Sequence, residues 1–103
     1  MRLLVMFDLP TETAEDKRGY AEFRKFLVED GYELEQFSVY SRVALSQQNA
    51  ETHLGRLEKR LPHEGTVTAF LMTEKQYESR RILLDTGPPT HHVQQDVQLT
   101  LSL

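Results

Sequence analysis

The stretch that decides the fold is the opening one, Met1-Arg2-Leu3-Leu4-Val5-Met6-Phe7-Asp8-Leu9-Pro10. Arg2 is followed by an unbroken apolar run that ends at a single carboxylate. Pro10 has no N–H for a ladder, so a strand must stop near Asp8. The run is too short for a capped helix and lacks alternation. It reads as a buried central strand over residues 2–8 with Asp8 delivered at its carboxyl end. In sheets flanked by helices that end commonly carries the chemistry.

Outward from this strand, Thr13 with Asp16 three residues later resembles a capping pattern, and Glu15 and Asp16 suit the positive end of a helix dipole. The spacing predicts a helix from there to about Asp30. Tyr20, Phe23, Phe26 and Leu27 face the core, Arg18, Glu22, Lys25 and Glu29 share another face, and Gly31 acts as the stop. Residues 32–45 read as extended, with Phe37, Val39, Tyr40 and Val43 favouring strand and Glu35-Gln36 marking a hairpin or a bend. A second helix is expected over 47–61, with Ala50, Leu54, Leu57 and Leu61 as its stripe, ended by Pro62 and Gly65. Residues 66–72 read as a strand, residues 74–81 as a short helix, and Ile82–Asp85 as a further short strand. The order suggests an α+β, ferredoxin-like βαββαβ sandwich over residues 1–85, with helices on one sheet face and a second copy of the chain on the other.

Gly87-Pro88-Pro89 is a clear linker, so residues 86–103 form a linker and a C-terminal docking strand. Val97, Leu99, Leu101 and Leu103 alternate with polar residues in a one-sided strand that needs an edge to join.

The chain has 103 residues, a single domain's length, with 27% charged and 39% apolar residues. No apolar run approaches the roughly 20 residues of a membrane helix, and only five apolar residues separate Arg2 from Asp8, too few for a secretory leader. The absence of cysteine removes disulfides, thiol catalysis and thiolate metal sites. A cytoplasmic protein without a membrane partner is expected. The net charge of −4 argues mildly against nucleic acid, but Lys17, Arg18, Arg24 and Lys25 crowd into nine residues and can form a basic stripe.

Asp8 reads in two ways. It can hold a hard cation such as Mg²⁺ (or Mn²⁺) through carboxylate oxygen, most effectively as two copies meeting across a two-fold axis. Alternatively, it only opens the Leu9-Pro10 turn by bonding its own backbone. Tyr40 either stacks on a base or packs in the core. Ser38 can donate to phosphate, and the basic residues bind phosphate or form a solvated helix face. His91-His92 looks like a metal pair, but adjacent residues point apart and no third ligand is placed.

Taken together, Met1-Arg-Leu-Leu-Val-Met-Phe-Asp8-Leu-Pro-Thr-Glu-Thr, Asp16-Lys-Arg18-x-Tyr20-x-x-Phe23-Arg-Lys-Phe-Leu27, Gly31-Tyr32, Gln36-Phe-Ser38-Val39-Tyr40, Gly65-x-Val67 and Thr73-Glu-Lys75-Gln-Tyr77 resemble the CRISPR-associated Cas2 family over about residues 1–85. The Asp-Leu-Pro-x-Glu-Thr form resembles members that accompany type II systems. The resemblance implies a ferredoxin-like homodimer that bridges integrase subunits and holds double-stranded protospacer DNA during spacer acquisition. Asp8 would be the catalytic, Mg²⁺-binding residue at the dimer interface, giving a metal-dependent endoribonuclease that acts on single-stranded RNA. Lys17, Arg18, Arg24, Lys25, Ser38, Tyr40 and Arg42 would contact nucleic acid, and Val97, Leu99, Leu101 and Leu103 would dock on a partner. Two other readings stand beside it: a toxin-type ribonuclease similar to virulence-associated protein D, and a non-catalytic ferredoxin-like binding module.

Overall fold

The computed structural model describes residues 1–87, so the linker's prolines, His91-His92 and the alternating tail lie outside the described residues. Strand β1 (Arg2–Asp8) is central, as its composition requires. The sheet order is β2-β3-β1-β4, with every pairing antiparallel. Val5 lies opposite Tyr40 of β3 (Val39–Val43) on one side and Ala69 of β4 (Thr66–Met72) on the other. The four-stranded antiparallel sheet with helices packed against it is the ferredoxin-like α+β arrangement expected from the sequence.

The burial of β1 alternates although its sequence does not. Leu3, Val5 and Phe7 are buried, whereas Met6 is 42% exposed and Asp8 is exposed. Successive side chains of a strand point to opposite faces. One face of β1 is therefore sealed by helices, and the other carries apolar residues that the described residues leave partly open. The reading of a strand buried on both faces is corrected to this extent.

Helix α1 (Ala14–Glu29) starts at a full capping box. Thr13 Oγ1 accepts from Asp16 N–H at 3.0 Å, and Asp16 Oδ2 accepts from Thr13 N–H at 3.1 Å. Tyr20, Phe23, Phe26 and Leu27 are its buried residues, as the periodicity requires. The Phe7 ring meets Phe23 edge-on at 5.2 Å, Tyr20 at 6.0 Å and Tyr40 in a stack at 5.8 Å. These four rings join strand to helix and form the centre of the core.

Strand β2 (Glu33–Gln36) and β3 form a hairpin whose turn is Phe37-Ser38, not Glu35-Gln36. Ser38 takes φ +60°, the left-handed conformation that a tight turn needs. Glu35 marks the bend instead: Leu34 pairs with Tyr40 and Gln36 with Val39, so Glu35 is the extra residue of a β-bulge. Helix α2 (Gln47–Glu58) is capped by Ser46 and ends three residues earlier than its apolar stripe suggests. Pro62 pushes the residue before it out of helical geometry, and Leu61 is left 48% exposed. Helix α3 (Glu74–Glu78) is likewise shorter than expected. Ile82–Asp85 forms no strand, and Leu83 is 91% exposed. Among the described residues no helix is long and apolar enough to cross a membrane.

Candidate functional site

Asp8 stands at the last position of β1, opposite Thr66. The turn beyond it is locked from below. Gly65 has φ +105°, and a Cβ at that position would lie 2.6 Å from the Asp8 carbonyl oxygen. Only glycine permits this approach, so the loop before β4 fixes where Asp8 sits. By strand parity the carboxylate belongs to the open face, with Leu4 and Met6. Thr68 and Phe70 of β4 and Val39 and Ser41 of β3 are on the same face, by their register with Met6 and Leu4. Among the described residues Asp8 belongs to no group of three potential metal ligands. The described residues therefore give a hard cation at Asp8 no three-ligand cage. That fits Mg²⁺ only if the ion keeps most of its water or shares a second carboxylate from another copy.

The basic residues of α1 form two rows. Seven residues make nearly two full helical turns, so Lys17 and Arg24 lie in one row and Arg18 and Lys25 in the next, about 10 Å apart along the axis. Lys17, Arg18 and Lys25 are exposed and Arg24 is half-buried. Lys25 pairs loosely with Glu29 at 3.9 Å. Arg24, Lys25, Ala21, Val28 and Glu29 line a shallow depression on this helix. The stripe is on α1, whereas Asp8 belongs to the opposite sheet face.

The strand candidates are placed differently. Ser38 is at the hairpin turn, where its carbonyl accepts from Phe7 N–H at 3.1 Å. Tyr40 is 2% exposed, stacked on Phe7. This is the core alternative for Tyr40, and in this conformation its ring has no face to offer a base. Arg42 is partly buried on the helix side of the sheet. Its Nη1 donates to the Asp30 carbonyl, its Nε donates to the Val43 carbonyl at 3.1 Å, and its guanidinium lies 6.0 Å from the Tyr32 ring. Arg42 ties β3 to the end of α1 and does not join the α1 stripe.

Three polar groups were not found from the sequence. On the open face, Ser41 Oγ donates to Glu35 Oε2 at 2.5 Å and Tyr77 O–H donates to the same oxygen at 2.6 Å. Arg2 bonds Glu74 at 2.5 Å, and the Tyr77 ring is held between the Arg2 and Arg80 guanidiniums at 4.0 and 3.9 Å. The Glu74 hydrogen bond raises the Arg2 pKa and lowers that of Glu74, while burial and then the Glu35 bond raise that of Tyr77. This network fastens α3 over the Arg2 end of the open face. It leads the chain into Ile82-Leu83-Leu84, which line a groove with Leu4, Met6 and Val39. On the helix side, Asp30 accepts from Arg56 at 2.8 Å and from His53 Nδ1 at 3.0 Å. The third group is Asp16, His63 and Glu64. The bulged glutamate and the Thr73-x-x-Gln76 cap hinted at the first; the other two join residues far apart in sequence.

An antiparallel βαββαβ sheet with an exposed carboxylate at the end of its central strand, and basic residues along its first helix, defines a small ferredoxin-like α+β protein. The family model described as CRISPR associated protein Cas2 matches residues 1–80, and the chain belongs to that family. The CRISPR-associated endoribonuclease Cas2 of Acidovorax ebreus is 46% identical over 84 residues, 82% of each chain. That of Ligilactobacillus salivarius is 40% identical over 103 residues, the full length of both. The crystal structure of Streptococcus pyogenes Cas2 at pH 6.5 superposes with a TM-score of 0.62, covering 81% of this chain and 99% of that one, at 20% identity. This last likeness concerns the fold. Membership of Cas2 leaves the toxin-type and generic-module readings without support.

Proposed function

We propose that this chain is a CRISPR adaptation protein that works as a homodimer, bridging integrase subunits and holding protospacer DNA. The observation that carries the reading is the open sheet face. Leu4, Met6 and Val39 lie there beside the exposed Ile82-Leu83-Leu84, Phe70 is on the same face, and the described residues cover them incompletely. A contiguous apolar surface of this kind favours a second copy. Such a pairing brings two Asp8 carboxylates toward one another, and the α1 stripes of the two copies then provide separated rows for phosphates.

The description of the relatives as endoribonucleases supports a nuclease role as well. In that role Asp8 holds Mg²⁺ or Mn²⁺, and the chemistry a bound ion supplies is polarisation of a phosphate and activation of water. Asp8 contributes carboxylate oxygens, and the Gly65 contact keeps its backbone in place. Like charges brought close favour a cation or a proton between them.

The test is a size-resolved binding assay with the integrase encoded beside this gene and a short duplex, using the full chain and a chain ending at Gly87. A ternary complex is expected with the full chain. Its loss on truncation assigns docking to Val97, Leu99, Leu101 and Leu103. Failure of both chains to join integrase or DNA overturns the scaffold reading. The Asp8→Asn variant then decides the nuclease reading, which requires metal-dependent cleavage to vanish while the dimer persists.

A further inference from the structure

Asp16, His63 and Glu64 come from two separate segments, the first turn of α1 and the loop between α2 and β4. One ligand atom from each lies within 4.8 Å of the other two, and among the described residues no other such group of three exists. They stand around a small pit walled by Leu9, Pro10, Gly19, Tyr20 and Pro62. Both segments are anchored. The Asp16 carboxylate is held by one oxygen on Thr13 N–H at 3.1 Å, which leaves the other oxygen outside that bond. His63 and Glu64 are bracketed by Pro62 and by Gly65, where a side chain would collide with the Asp8 carbonyl.

We propose that these three residues form a divalent-cation site separate from Asp8, suited to a borderline metal of the Zn²⁺ or Co²⁺ class. An imidazole nitrogen with two carboxylates is the donor set such ions favour, whereas Mg²⁺ prefers oxygen and water throughout. Histidine is what distinguishes this cluster from an ordinary pair of surface carboxylates. The cation offsets the repulsion between Asp16 and Glu64 and leaves coordination positions for water. It also staples the start of α1 to the loop on which the Asp8 turn rests. Its role is structural, fixing that end of the sheet, and it is independent of whether Asp8 turns over substrate.

The experiment uses the full 103-residue chain, stripped with chelator and titrated with Co²⁺ alone, followed by the ligand-field spectrum and by competition with Zn²⁺. One equivalent per chain is expected, with a rise in Tm. His63→Gln and Glu64→Gln alter exposed side chains. Each is expected to keep the metal-free Tm and to weaken binding by at least about 100-fold, the upper end of what losing even an outer partner of a ligand costs. Asp8→Asn and the paired His91→Gln, His92→Gln variant are expected to bind as the native chain does. The proposal is overturned by absence of one-to-one binding at millimolar Co²⁺, by unchanged affinity in His63→Gln, or by loss of binding in either control.

Discussion

Replacing Asp30 by alanine tests how the two long helices are held to each other. The Asp30 side chain is 9% exposed and accepts from both Arg56 and His53. The two donors respond differently to its removal. Arg56 is largely exposed and regains water. His53 is buried, and with the carboxylate gone its ring takes the tautomer whose Nδ1 accepts from Arg42 Nη1, 3.3 Å away, so its own hydrogen bonding is replaced in part. What is lost is the pair of hydrogen bonds to a charged acceptor, one of them from an exposed donor that regains water, which brings the expected loss to about 1–3 kcal/mol. Burial is the largest single influence on the Asp30 carboxyl and pushes its pKa up. Hydrogen bonds and charge from Arg56 and His53 together outweigh it, leaving the pKa below the usual value. Stability from a depressed carboxylate is present above the unfolded pKa, near 4, and is lost as pH falls through the folded value. The gap between native chain and Asp30→Ala is therefore widest at neutral pH and shrinks below about pH 4. Urea unfolding followed by circular dichroism at pH 7 and pH 3 reads both quantities. Protein concentration is held fixed because association shifts apparent stability. A loss under about 0.5 kcal/mol at pH 7, or an equal loss at both pH values, refutes the reasoning.

Gly65→Ala places a Cβ 2.6 Å from a backbone carbonyl at a φ that L residues avoid. It is expected to cost about 1–3 kcal/mol and lower Tm by several degrees in a thermal melt. An unchanged Tm would show that the loop yields freely and does not fix Asp8. Tyr32 raises the opposite case. Its hydroxyl is buried without a hydrogen-bond partner among the described residues, and burial, aided by the Asp30 charge, pushes its pKa up to about 12. Tyr32→Phe is therefore expected to be neutral or stabilising by up to about 1 kcal/mol in chemical unfolding, and a clear loss of stability would reveal a partner for the hydroxyl.

The sequence by itself determined the features whose causes are local. The apolar run with Pro10 placed β1 and its end. Thr13 and Asp16 placed the start of α1, and the spacing of Tyr20, Phe23, Phe26 and Leu27 gave its buried face. The opening strand and its neighbours also carried the family resemblance, and they set Asp8 where chemistry can use it. Tertiary structure decided what depends on pairing. Whether Tyr40 and Arg42 face the helices or the solvent is a matter of β3 parity, fixed by a turn at Phe37-Ser38 and a bulge at Glu35 that no periodicity reveals. A shift of one residue would have turned both outward. The open apolar face could not be read from β1, because its residues are apolar on both sides and only the helices reveal which side they cover. The Asp30–His53 pair and the Asp16–His63–Glu64 group unite residues far apart in the chain. Their ordinary polar residue types acquire meaning only when folding brings them within bonding reach.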